Sequence, residues 1–207
     1  MASVMALPLL ASGLLCFAGL LFQKMGTFMS TLVKLGRSDV AVPRIGFGAT
    51  ALADMPDTYG YSVGEERALA TIRAILAPPD GFIDTSRNYG LGRSEELIGK
   101  VVRELGGWPA GRILSTKLDR DMDTLRFDAA QARRSVEESL SALGVDRIDV
   151  LHLHDPEYAS DLADVTRRGG ALDELMRMKE EGLAGAVGLA AGRIDIMMPI
   201  LRDWDFD

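Results

Sequence analysis

The chain has 207 residues, 47% of them hydrophobic and 26% charged. That mix fits a globular domain with its own core and excludes a disordered polar chain. A net charge of -7 gives no general attraction to nucleic acid, and the single cysteine, Cys16, excludes an intrachain disulfide scaffold.

Residues 1–28 differ from the rest. Met1 to Gln23 carries no charge, and Leu9, Leu10, Leu14, Leu15, Phe17, Leu20, Leu21 and Phe22 dominate it. An apolar run of about 20 residues is long enough to span a bilayer. It lacks the basic start of a signal peptide, and Leu15 before Cys16 is a poor lipoprotein cleavage match. The preferred reading is a mis-assigned start, with the true chain beginning at Met25 or Met29. The alternative is a membrane segment, the one feature that would tie the chain to a membrane. Residues 29–207 then form the folded domain, expected in the cytoplasm.

Two short apolar runs, Leu32–Leu35 and Val40–Val42, flank Gly36-Arg37-Ser38-Asp39 and predict a β-hairpin. Arg44–Ala49 reads as a strand whose glycines permit close backbone approach. Strands and helices then alternate. A helix is expected over Glu65–Leu76, stopped by Pro78-Pro79-Asp80-Gly81. Phe82–Thr85 follows as a strand. Ser94 is placed as the cap of a helix carrying Leu97, Val101 and Leu105. Ile113–Lys117 is the next strand. Asp128 caps a helix striped with Ala132, Val136, Leu140 and Leu143 and stopped by Gly144. Ile148–His154 is a strand, Leu172–Lys179 lies in a helix ending by Gly182, Ala186–Ala190 is a strand, and Ile194–Leu201 begins a last helix.

Regular alternation implies an α/β fold with a parallel sheet, either doubly wound or a (β/α)8 TIM-type barrel. Strand starts near 44, 82, 113, 148 and 186 give roughly 36 residues per unit, so the chain holds about five of a barrel's eight. In a barrel reading, the first and fifth strands would be open edges.

Polar side chains stand where these apolar strands end. Asp84 closes one strand, with Tyr89 in the loop after it; Lys117 closes the next and His154 the one after. In parallel β/α folds that end carries the active site. Alternation places Phe82, Asp84 and Ser86 on one face, with Ile113, Ser115 and Lys117, and Val150, His152 and His154. A buried lysine needs a partner, and Asp84 is the obvious one. A lysine near a tyrosine favours the phenolate, so Tyr89 can give or take a proton near neutrality. His154 can orient a carbonyl or hydroxyl oxygen. Alone, each residue reads as structural; the set on one rim does not. His152 reads as core-facing, one layer below His154. The two histidines beside Asp155 also have metal-ligand spacing, so a barrel metal hydrolase is a further alternative, although only two histidines exist.

These residues resemble the aldo-keto reductase family. Asp84-x-x-x-x-Tyr89-Gly90, Ser115-Thr116-Lys117 and Ile148–Pro156 match its landmarks in order, over Met29 to Leu189. Asp84-Thr85-Ser86 and His154-Asp155-Pro156-Glu157 look most like its D-threo-aldose (L-fucose) 1-dehydrogenase branch. The resemblance implies a barrel closed below by the hairpin, and hydride transfer between a nicotinamide, NAD or NADP, and a sugar or aldehyde substrate. It implies Tyr89 as general acid and base, Lys117 and Asp84 tuning it, and His154 orienting the substrate oxygen. Gly48, Ala49 and Thr50, with Asp84, would lie near the nicotinamide ribose; no metal is implied. Two departures stand out. Ala190-Ala191-Gly192 replaces the Ser-Asn that holds the carboxamide, and the chain ends at Asp207, before the family's last three strands. A truncated form is therefore expected, with an inactive or regulatory fragment as the alternative.

Overall fold

The computed structural model describes residues 32–207; the apolar stretch 1–28 lies outside them. Among the described residues no helix is long and apolar enough to cross a membrane.

The hairpin forms as expected, from β1 (Val33–Lys34) and β2 (Ala41–Val42), paired antiparallel. Gly36 turns it at φ +51, and Ser38 donates its hydroxyl to the Leu35 carbonyl at 2.7 Å. A five-stranded sheet follows: β3 (Phe47–Gly48), β4 (Phe82–Asp84), β5 (Ile113–Leu118), β6 (Ile148–His154) and β7 (Ala184–Ala190). Every pairing is parallel, and the strands lie in the sheet in chain order. A doubly wound sheet reverses its order at a switch point. This one never does, so the winding is that of a β/α barrel, and five of the expected units are present. β3 and β7 are the two edges. The β7 edge is not open throughout, because Asp207 bonds both the N–H and the carbonyl of Val187.

The connecting helices are α1 (Pro56–Tyr59), α2 (Glu65–Leu76), α3 (Arg93–Glu104), α4 (Ala129–Leu143), α5 (Leu162–Thr166), α6 (Ala171–Glu180) and α7 (Ile194–Asp203). Short 3-10 turns cover Thr50–Ala53 and Pro156–Tyr158. Asp128 caps α4 by accepting from the Gln131 N–H at 2.9 Å, and Gly144 ends it at φ +71. Ser94 does not cap α3. Gly92, at φ +101, precedes the helix, and Ser94 is its second residue. The Ser94 hydroxyl instead accepts from Thr85 at 2.8 Å and reaches the Ala49 carbonyl at 3.3 Å, tying α3 to the sheet rim. Leu105 lies past the end of α3 and is exposed, so the buried stripe stops at Val101 and Val102.

Alternation gives the sheet two faces. The outward one carries Ile83, Leu114, Leu118, Leu151, Leu153 and Val187, none more than 2% exposed, packed under α2, α3, α4 and α6. Burying each such side chain favours the fold by roughly 1.5–3 kcal/mol. α3 and α4 meet at Gly99, where a Cβ would stand 1.9 Å from the Ala142 carbonyl oxygen. A fully buried ionisable side chain enters this layer. Glu95 of α3 is fully buried and accepts from the Thr116 hydroxyl at 2.7 Å. Burial pushes its carboxyl up to about 7, although Thr116, Ser139 and Arg87 pull it back. The inward face carries the polar residues of the rim. Val40 of the hairpin stands beside Gly185 at the amino end of β7, opposite that rim.

Candidate active site

Asp84 and Lys117 meet because β4 and β5 run side by side with their inward residues in register, Asp84 opposite Ser115. Lys117 donates to Asp84 Oδ2 at 2.7 Å and to the Thr85 carbonyl at 2.7 Å. Its residue is only 6% exposed, so its charge depends on these oxygens to offset the loss of water. Ser115 donates to the other Asp84 oxygen at 2.7 Å. Both carboxylate oxygens are therefore held, and the ammonium is fixed in direction.

Tyr89 is brought over this pair by a tight loop. Asn88 N–H donates to Ser86 Oγ at 3.1 Å, Tyr89 N–H to the Ser86 carbonyl at 3.2 Å. Gly90, Leu91 and Gly92 then all have positive φ. A Cβ on Gly90 would lie 2.8 Å from the Ala53 side chain, so glycine is needed there for both conformation and space. The Lys117 ammonium sits 4.8 Å from the centre of the Tyr89 ring. His154, ending β6, meets the ring edge-on with centroids 6.0 Å apart. The structure thus brings Asp84, Tyr89, Lys117 and His154 together at the carboxyl end of the sheet.

Two acidic residues join the set: Asp119, which the sequence pattern does not single out, and Asp155, noted there only beside the histidines and in the motif after His154. Asp119, just past β5 and 2% exposed, places Oδ1 at 2.7 Å from His154 Nδ1. Its Oδ2 accepts from Ser86 at 2.6 Å and from the Asn88 N–H at 2.9 Å. One signal does exist: the alternation that selects Ser115 and Lys117 continues to Asp119. Asp155 follows His154 with φ +47 and lies 3.6 Å from Nε2. Burial raises its carboxyl; a protonated His154 would oppose that, and Glu157 adds to it. Glu157 accepts from the Gly192 and Arg193 N–H groups and pins the loop after β7.

His152 lies one layer below, as expected, with Nδ1 3.4 Å from Ser115 Oγ. It is half-buried rather than sealed in the core. Burial lowers its pKa below the ordinary value. The two histidines direct their Nδ1 atoms to different partners. No group of three or more His, Cys, Asp or Glu among the described residues is arranged to hold a metal ion.

The residues expected near a cofactor divide by exposure. Gly48 is exposed on the rim in register with Asp84, and nothing lies within 4 Å of where its Cβ would stand. Thr50 is half-buried at the start of its turn. Ala49 is fully buried, with its N–H donated to the Asp84 carbonyl at 2.8 Å. It shapes the rim without offering a free polar group. At the end of β7, the Ala190 carbonyl accepts from the Asp155 N–H at 2.7 Å. Ala190 and Ala191 offer no side-chain hydrogen bond.

The chain is similar to known proteins. L-galactose dehydrogenase of Arabidopsis thaliana is 33% identical over 167 residues, covering 81% of this chain and 50% of that protein. D-threo-aldose 1-dehydrogenase of a Pseudomonas species is 29% identical, over 86% of this chain and 59% of its own length. The chain therefore spans between half and three-fifths of the length of these relatives. Among solved structures, an aldo-keto reductase from Bacillus halodurans in its holo form superposes with a TM-score of 0.65 at 24% identity, over 84% of this chain and 55% of that one. The glycerol dehydrogenase of Gluconobacter oxydans gives 0.62 at 25% identity, over 84% and 52%. The family model described as "Aldo/keto reductase family" matches residues 44–207, which include every rim residue described above, and the chain belongs to that family.

Proposed function

We propose that this chain carries the proton-transfer centre of a nicotinamide-dependent oxidoreductase acting on an aldose or related aldehyde and its alcohol form. The observation that carries this reading is the convergence of Tyr89 with the buried Lys117–Asp84 pair and His154 on one rim. The relatives named as aldose and galactose dehydrogenases support the substrate class.

The exposed, unobstructed Gly48 beside Asp84 fits the flat approach of a nicotinamide ring and its ribose. Gly48, Thr50 and Asp84 are the residues that would hold NAD or NADP at that end. When bound, the nicotinamide supplies or accepts the hydride. Tyr89 gives the substrate oxygen a proton in reduction and removes one in oxidation. The Lys117 ammonium lies 4.8 Å from the centre of its ring, and Asp84 with the Thr85 carbonyl keeps that ammonium in place. His154 directs the substrate oxygen toward Tyr89.

Tyr89→Phe tests the assignment. In protein that shows NAD(P)-linked turnover of an aldose, this change keeps the ring and removes the transferable proton. The rate is expected to fall by about 10²–10⁴-fold, the usual contribution of a positioned acid or base. An unchanged rate, followed by nicotinamide absorbance, would refute the role. A second reading, a family member that does not turn over, is favoured by Ala190-Ala191, which cannot donate to a carboxamide. Failure of both NAD and NADP to raise the melting temperature would support it, since a ligand that binds only the folded state must stabilise that state.

A further inference from the structure

Asp119 is a buried carboxylate whose partners fix the proton of another residue. His154 Nδ1 faces two oxygens, Asp119 Oδ1 at 2.7 Å and Ser86 Oγ at 3.2 Å. The single Ser86 proton is committed to Asp119 Oδ2 at 2.6 Å. An ionised carboxylate only accepts. Both oxygens at Nδ1 are therefore acceptors, and the proton between them belongs to His154. The Asn88 N–H, on Oδ2 at 2.9 Å, completes the donor set around Asp119.

We propose that Asp119 is a positioning residue that holds neutral His154 as the Nδ1–H tautomer, so that Nε2 meets the substrate as a hydrogen-bond acceptor. The other groups around the ring do not compete for Nδ1: Tyr89 packs at its edge, and Asp155 lies 3.6 Å from Nε2, on the opposite side. Nε2 and the Asp155 carboxylate then present two adjacent acceptors. A sugar hydroxyl other than the reacting one, whose single proton goes to Tyr89, can donate to them. A carbonyl oxygen cannot, until His154 takes a second proton. This consequence for substrate form rests on the oxidoreductase reading; the tautomer itself rests only on the contacts.

The test is histidine-selective 15N labelling of the full chain and long-range proton–nitrogen correlation, above the pH at which the imidazoles titrate. Only two histidines are present, and His152→Gln assigns the signals. The expected wild-type spectrum shows His154 with a protonated Nδ1 and an unprotonated Nε2. In Asp119→Asn, the Ser86 and Asn88 donors draw the amide oxygen to their side. The amide NH2 then faces Nδ1, and His154 switches to the Nε2–H form. A purely structural role for Asp119 would not invert the tautomer. Wild-type His154 as Nε2–H or as a mixture overturns the proposal, as does an Asp119→Asn variant that keeps Nδ1–H. Should that variant not fold, the wild-type spectrum still decides. No turnover is required, so a chain without dehydrogenase activity reports the tautomer equally well. An Nε2–H result would leave the oxidoreductase reading standing.

Discussion

Glu95→Gln should stabilise the protein at neutral and alkaline pH and leave it nearly unchanged in mild acid. Glu95 lies between α3 and β5 with no exposed surface, its Oε1 taken by Thr116, while Oε2 and the Ser139 hydroxyl lack a hydrogen bond of good geometry. In the unfolded chain this carboxyl titrates near 4.5; in the fold, burial raises it to about 7. Between these values the unfolded state binds fewer protons than the native state, so stability falls as pH rises. At about 1.4 kcal/mol per pH unit, the full effect is roughly 3 kcal/mol and is complete above about pH 7. Glutamine keeps the acceptor for Thr116, replaces Oε2 with a donor beside Ser139, and never ionises. Urea melts of both proteins from pH 4.5 to 8.5 provide the assay. The stability gap should open across that window to about 3 kcal/mol, or about 6–12 °C in melting temperature for a chain of this size. A gap that stays constant with pH would show that Glu95 titrates alike in both states, and would refute the reasoning.

Two further substitutions test the packing that positions the rim. Gly99→Ala should lower the melting temperature by several degrees despite alanine's better helix propensity, because the new methyl meets the Ala142 carbonyl at 1.9 Å and backbone cannot yield cheaply; overpacking of this kind costs about 1–3 kcal/mol. A melt equal to wild type would mean that α3 and α4 are not held that close. Asp128→Ala removes the cap on the Gln131 N–H and should cost about 1 kcal/mol in a urea titration, with Asp128→Asn recovering most of it.

The parts of the fold legible in the sequence are those with a long period. α2 over Glu65–Leu76 and β6 over Ile148–His154 match their expected bounds, because twelve and seven residues sample a helical or alternating pattern more than once. α1 and α5, with four and five residues, sample neither, and no periodicity announces them. The choice between barrel and doubly wound sheet also lies beyond local pattern. It depends on strand order, which emerges only once β3 to β7 pair in sequence.

Ser94 shows why local chemistry can mislead. A serine just before an apolar helical stripe is a good cap by every local criterion. Here the loop from Ser86 must turn sharply enough to lay Tyr89 over Lys117, and it does so through three consecutive residues at positive φ. That turn brings the helix start to Gly92, leaving the Ser94 hydroxyl free to join Thr85 to the Ala49 carbonyl. Asp84, Lys117 and His154 are legible because each is a polar side chain at the end of an apolar strand, and Tyr89 because it is the aromatic residue in the loop that follows the first of these. Asp119 obeys the same alternation but follows the strand's last apolar residue, where a carboxylate reads as an ordinary loop residue. Only its burial against His154, Ser86 and Asn88 distinguishes it. The strand pattern sets which face a side chain takes, but the loop from β4 supplies two of the donors that hold Asp119. The proton assignment on His154 is therefore a property of tertiary contact.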